Sequence, residues 1–85
     1  MSRDVKEVVG LVMSVLNGGE VTHRELDDLA FEADGELETA RNEAYVKLRE
    51  FAHDRTLRLN HPKIDQRMRS ELRACLDNIV RASNS

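Results

Sequence analysis

Glu50-Phe51-Ala52-His53 sets a carboxylate and an imidazole three residues apart. On a helix that spacing puts them on adjacent turns, as in the carboxylate-bridged metal sites of some helical bundles. Such a site needs two of these units, or one doubled by symmetry, with further glutamates pointing inward. This chain has one unit. Glu43 and Glu36 precede Glu50 by one and two heptads on the same face, so a dimer could gather four carboxylates and two imidazoles. Phe51 and Leu48 compete for the inward face and push Glu50 to its margin. Glu50, His53 and Glu43 are therefore a secondary metal candidate, and no metal or other cofactor is expected.

The other reactive side chains point away from catalysis. His23 and His61 stand at predicted helix starts and read as first-turn residues, and no His/Cys spacing suits a tetrahedral zinc site. Cys75 lies on an apolar stripe with Leu72, Leu76 and Ile79, where a free thiol behaves as a small buried hydrophobe. As the one cysteine of the chain it excludes an internal disulfide. There is no G-x-S-x-G motif. Gly18-Gly19 precedes a helix, but Glu20 and the acids after it would repel phosphate. The chain is expected not to be an enzyme.

Charge is distributed unevenly. The net charge is −3, yet residues 20–38 hold eight acids against Arg24 alone, while residues 39–85 hold ten bases against six acids. Acids at the start of a helix favour its dipole, and they also suit a basic partner. Two interaction surfaces follow: an acidic face at Asp27, Asp28, Glu32 and Glu36, and an arginine face at Arg67, Arg69 and Arg73. The favoured function is a small interaction or regulatory protein that works through one of these faces. A nucleic-acid-associated regulator using the last helix is a weaker alternative. Asp65, Glu71 and Asp77 dilute its positive charge, and exposed aromatics for base stacking are lacking.

These residues need elements to carry them. Val5, Val8, Val9, Val12, Val15 and Leu16 recur at helical spacing and predict a first helix over residues 3–16, closed by Asn17-Gly18-Gly19. Thr22-His23-Arg24-Glu25 is a capping box, with Val21 as a hydrophobic staple. It opens a seam of mostly small apolar residues: Leu26, Ala30, Ala33, Leu37, Ala40, Ala44, Leu48 and Phe51. Asp34-Gly35 is a turn signal, but the apolar phase runs through it unshifted, which predicts one helix over about 23–54, bent at most at Gly35. Such a helix would span roughly 45–50 Å. Residues 55–60 read as a connector. Asn60-His61-Pro62 opens a last helix with the stripe Ile64, Met68, Leu72, Cys75, Leu76, Ile79 and Val80, and residues 82–85 read as a frayed tail.

The sequence thus predicts one small all-α domain over residues 1–85, a three-helix chain with a long central helix. A chain of 85 residues with three aromatic side chains has a thin core, and dimerisation is a usual remedy. The seam Ala30, Ala33, Leu37, Ala40 and Ala44 would let a second copy approach closely, so a homodimer and a protein partner are expected. No secretion signal is read at the start of the chain. The apolar stretch Leu11-Val12-Met13 is far too short to cross a bilayer. A cytoplasmic location fits the single thiol.

Overall fold

The computed structural model describes residues 3–27 and 35–84, with the backbone alone at Arg3 and Asp4. Among these residues the chain is all-α. It forms α1 (Arg3–Leu16), α2 (His23–Asp27), α3 (Glu36–His53), α4 (Arg55–Asn60) and α5 (Pro62–Ser83). Helices α1, α3 and α5 each pack on the other two and make a three-helix bundle. The short α2 leans on α3, and α4 on α5.

Each long helix contributes one stripe to the core. Val5, Val8, Val12 and Val15 of α1 are fully buried, at steps of three and four that keep them on one face. From α5 come Met68, Leu72, Cys75 and Ile79, and from α3 Ala40, Ala44, Tyr45, Leu48 and Phe51. Val80 departs from the predicted stripe and is 48% exposed. The junction after α1 is a glycine-closed helix end. Gly19 N–H donates to Ser14 O at 2.8 Å and Gly18 N–H to Val15 O at 3.0 Å, the paired bonds of a Schellman turn. Gly18 takes φ 96°, and a Cβ at Gly19 would meet Ser14 O at 2.8 Å, so both glycines are required.

The through-going helix over 23–54 is not formed. Gly35 sits at φ 150°, ψ 159°, a region essentially restricted to glycine, and it caps α3. Its carbonyl accepts the first bond of that helix from Thr39 N–H at 2.9 Å. The glycine conformation at Gly35 prevails over the continuous apolar phase. Ala30 and Ala33, which carried the phase across, lie outside the described residues, as do Asp28 and Glu32. Residues 55–60 are likewise a helix, α4, rather than a plain connector. The last helix runs through Ala82, which packs against the core, to Ser83.

The capping box at α2 is half formed. Thr22 Oγ1 accepts from Glu25 N–H at 3.3 Å, as a cap should, but the hydroxyl also donates to Glu25 Oε1 at 3.2 Å. Val21, the predicted staple, is buried.

Candidate functional site

A groove runs between α3 and α5. Antiparallel packing brings the outer edge of α3 alongside the second half of α5. Thr39, Asn42, Glu43, Val46, Lys47 and Cys75 line a hollow of about 390 Å³. A neighbouring hollow of about 400 Å³ shares Thr39 and Glu43 and continues past Glu36 and Gly35 to Asn78 and Ala82. Thr39, Glu43 and Val46 recur at steps of four and three, which places them in one line on α3. Val46 is 41% exposed and gives the groove its apolar wall.

Acids dominate the rim. Glu36 and Glu43 stand on it, and among the described residues Lys47 is the single base in either lining. That base is already matched, to Glu71 at 3.4 Å and to Glu50 at 3.6 Å, and these carboxylates, Glu50 first, hold its ammonium charged above the usual lysine range. Glu43 makes no salt bridge among the described residues. At the floor, burial first and then the Glu43 and Glu71 carboxylates push the Cys75 thiol up, against Lys47. Cys75 is therefore a neutral thiol at pH 7, a wall atom rather than a nucleophile.

A second cluster ties the bundle together. Arg58 of α4 is 2% exposed and lies over the Phe51 ring at 3.3 Å. Its Nε–H donates to Phe51 O at 2.9 Å, Nη1 to Asp65 at 2.7 Å and Nη2 to Glu20 at 2.7 Å. Arg69 of α5 completes the clasp. It donates to Asp65 at 2.8 Å, to Glu20 at 3.0 Å and to the carbonyls of Val15 and Gly19 at 2.5 and 3.0 Å. Two arginines and two carboxylates thus join the α1–α2 junction to α4 and α5. The Arg58 hydrogen bond holds Glu20 below the usual carboxylate range, and the Arg69 bond does the same for Asp65. Nearly every donor has an acceptor, so this cluster is structural.

A third feature is Arg41, fully buried on α3. Its Nη1 donates to Asn42 Oδ1 at 2.9 Å and its guanidinium lies 5.4 Å from the centre of the Tyr45 ring. Nε and Nη2 are buried with no hydrogen-bond partner. Tyr45 donates its hydroxyl to Leu26 O at 3.3 Å and accepts from Arg49 at 2.9 Å.

The residues singled out by sequence fall unevenly around these features. Glu50 turns to Lys47, His53 lies edge-on to His23 with ring centres 6.3 Å apart, and Glu43 stands on the groove. Among the described residues no three metal-ligating side chains come together. Of the acidic face, Asp27 reaches Arg49 at 4.0 Å and Glu36 joins the groove. The arginine face is divided. Arg69 belongs to the clasp, while Arg67 and Arg73 are exposed and pair loosely along α5 with Glu71 at 3.9 Å and Asp77 at 3.6 Å. Of the predicted dimer seam, Ala40 and Ala44 are buried and Leu37 is half-buried, all covered from within one chain. Sequence reasoning passed over Arg58 altogether, and at Arg41 the spacing offers only an i, i+3 pair with Glu38. A lone arginine among apolar neighbours, as at Arg58 between Leu57 and Leu59, was the available signal.

Compared with known protein families, curated proteins and solved structures, the chain matches none. Among the described residues no helix is long and apolar enough to cross a membrane.

Proposed function

We propose that the protein is a non-enzymatic docking module that holds a basic amphipathic helix of another protein in the α3–α5 groove. The observation that carries this reading is the pairing of an apolar wall at Val46 and Cys75 with a rim bearing Glu36 and the unpaired Glu43. An amphipathic helix lays its apolar face into such a groove, and its lysines or arginines then meet the rim. Small side chains at Thr39, Asn42 and Ala82 keep the walls low, so a second helix can come close. The groove replaces the alanine seam as the working surface. The reading carries with it a cytoplasmic location, where the Cys75 thiol stays reduced.

The test is a fluorescence-anisotropy titration with two synthetic 18-residue amphipathic helices, one with lysines on its polar face and one with glutamates. The lysine peptide should bind and weaken as salt rises. Glu43→Lys should weaken it roughly tenfold by reversing a rim charge, and Val46→Asp should do the same by wetting the wall. Equal binding of both peptides, or no effect of either variant, would overturn the proposal. Light scattering on the same samples shows whether a second copy of the chain fills the groove instead.

A further inference from the structure

We propose that Lys47 is a latch that masks Glu50 and so sets how many basic residues of a partner helix the α3–α5 groove accepts. The inference rests on the groove reading above and adds the partner's charge spacing to it. Glu36, Thr39, Glu43, Val46 and Glu50 follow one another on α3 at steps of three and four, so they form one line along the helix. Within that line the three glutamates stand one heptad apart. A helix drifts only about 20° per heptad, so their carboxylates repeat along the groove roughly every 10 Å. Glu71, Cys75 and Asn78, at steps of four and three, form the facing line on α5.

Lys47 closes one end of this channel. Among the described residues the α3 lining of the two hollows runs from Gly35 to Lys47 and stops there, one turn short of Glu50. The Lys47 ammonium reaches from α3 toward α5 and stands 3.4 Å from Glu71 and 3.6 Å from Glu50. A helix seated in the groove with bases a heptad apart thus meets Glu36 and Glu43 but finds Glu50 taken. Glu71 has a second cation in Arg67 at 3.9 Å, so loss of the Lys47 charge uncovers Glu50 above all. The Lys47, Glu50 and Glu71 side chains are each partly exposed, so this contact can open without unpacking the core. Glu50 and then Glu71 hold the ammonium above the usual lysine range, which keeps the latch charged and shut near neutral pH. Loss of the charge itself opens it, and the groove then takes a helix with three bases at heptad spacing in place of two.

Fluorescence anisotropy on the full chain with two 18-residue amphipathic peptides tests the latch. One peptide carries two lysines a heptad apart, and the other adds a third lysine one heptad further on. The readout is the ratio of their affinities, which cancels any effect common to both. For the parent protein the ratio should be near one. Lys47→Gln should raise it to about two- to fivefold, the worth of one exposed ion pair. Lys47→Arg keeps the charge and should leave the ratio near one, and adding Glu50→Gln to Lys47→Gln should bring it back there. A ratio unchanged by Lys47→Gln, one already raised in the parent, or one that Glu50→Gln leaves high would overturn the latch. In each of those cases binding of the two-lysine peptide to the parent still upholds the groove reading. Binding of neither peptide to either protein overturns both.

Discussion

Replacing Gly35 with alanine separates two architectures by the sign of its effect. Were residues 23–54 one helix, Gly35 would be an interior helical glycine, and alanine would stabilise the protein by about 1 kcal/mol. In the structure Gly35 is the cap of α3 at φ 150°, ψ 159°. An alanine forced into that region costs about 1–3 kcal/mol, and its Cβ would collide with the Glu38 carboxylate. The Glu38 side chain can swing aside, so the backbone accounts for most of the penalty. At about 4–8 °C per kcal/mol for a domain of this size, Tm should fall by roughly 4–24 °C. Gly10 supplies the control. It lies inside α1, and a Cβ there meets nothing within 4 Å, so Gly10→Ala should raise stability by about 0.5–1 kcal/mol. Both variants are compared with the parent by urea unfolding followed by circular dichroism. If Gly35→Ala stabilised the protein as Gly10→Ala does, the chain would run helical through residue 35 and the break would be wrong.

The clasp, the thiol and the alanine seam give further tests. Arg58→Met should destabilise by about 2–4 kcal/mol, because it removes the buried partner of Glu20 and Asp65 and leaves both to Arg69 alone, and the partial exposure of both keeps the loss at the lower end for a broken buried pair. Glu20 and Asp65 have lowered pKa values in the folded chain. Their contribution is therefore complete above the ordinary carboxylate range and is lost as pH falls through those lowered values. Urea midpoints should drop between about pH 6 and pH 3 and drop less in Glu20→Gln/Asp65→Asn; equal slopes would count against the clasp. Cys75 should react slowly with iodoacetamide at neutral pH and faster only above about pH 9, so a fast neutral reaction would contradict its raised pKa. Ala44→Leu should cost about 1–3 kcal/mol through overpacking and leave the molar mass unchanged, whereas a fall in mass at constant stability would move the seam to an intermolecular interface.

What the sequence made legible follows from how local each signal is. The valine stripe of α1 and the Gly18-Gly19 closure are encoded within one or two turns, and both appear where the spacing puts them. The break at Gly35 was harder because two signals disagreed. Helix phase is preserved across a break whenever both pieces bury the same side, so the phase from Leu26 to Leu37 did not report continuity. The α4 helix escaped notice because Leu57 and Leu59 stand two apart, a period that matches no helix face. Arg58 and Arg69 escaped for another reason. Their acceptor Glu20 lies 38 and 49 residues away in the chain, and periodicity carries no information about such pairs. Arg69 was read as part of an exposed stripe because its place on α5 is solvent-facing by spacing. Only the arrival of the α1–α2 junction turns it inward.

The fate of the basic residues explains why the candidate surface is acidic even though the second half of the chain is rich in arginine. Arg58 and Arg69 are committed to the clasp, and Arg41 is enclosed on α3. Arg67 and Arg73 stay exposed, but each has an acid one helical turn further along α5, so the field each projects is weak. Lys47, the one base at the groove, is shared between two carboxylates. Folding thus buries or pairs Arg41, Lys47, Arg58 and Arg69, and among the described residues it leaves Glu43 without a salt bridge beside an exposed valine. A surface of that kind discriminates by sign. On the proposed reading it attracts a basic helix at long range, holds it by apolar contact at short range, and repels another acidic helix even where the shapes agree. For a nucleic acid along α5 the same accounting is less favourable, since Arg67 and Arg73 each sit beside an acid and the phosphate term draws on uncompensated cations.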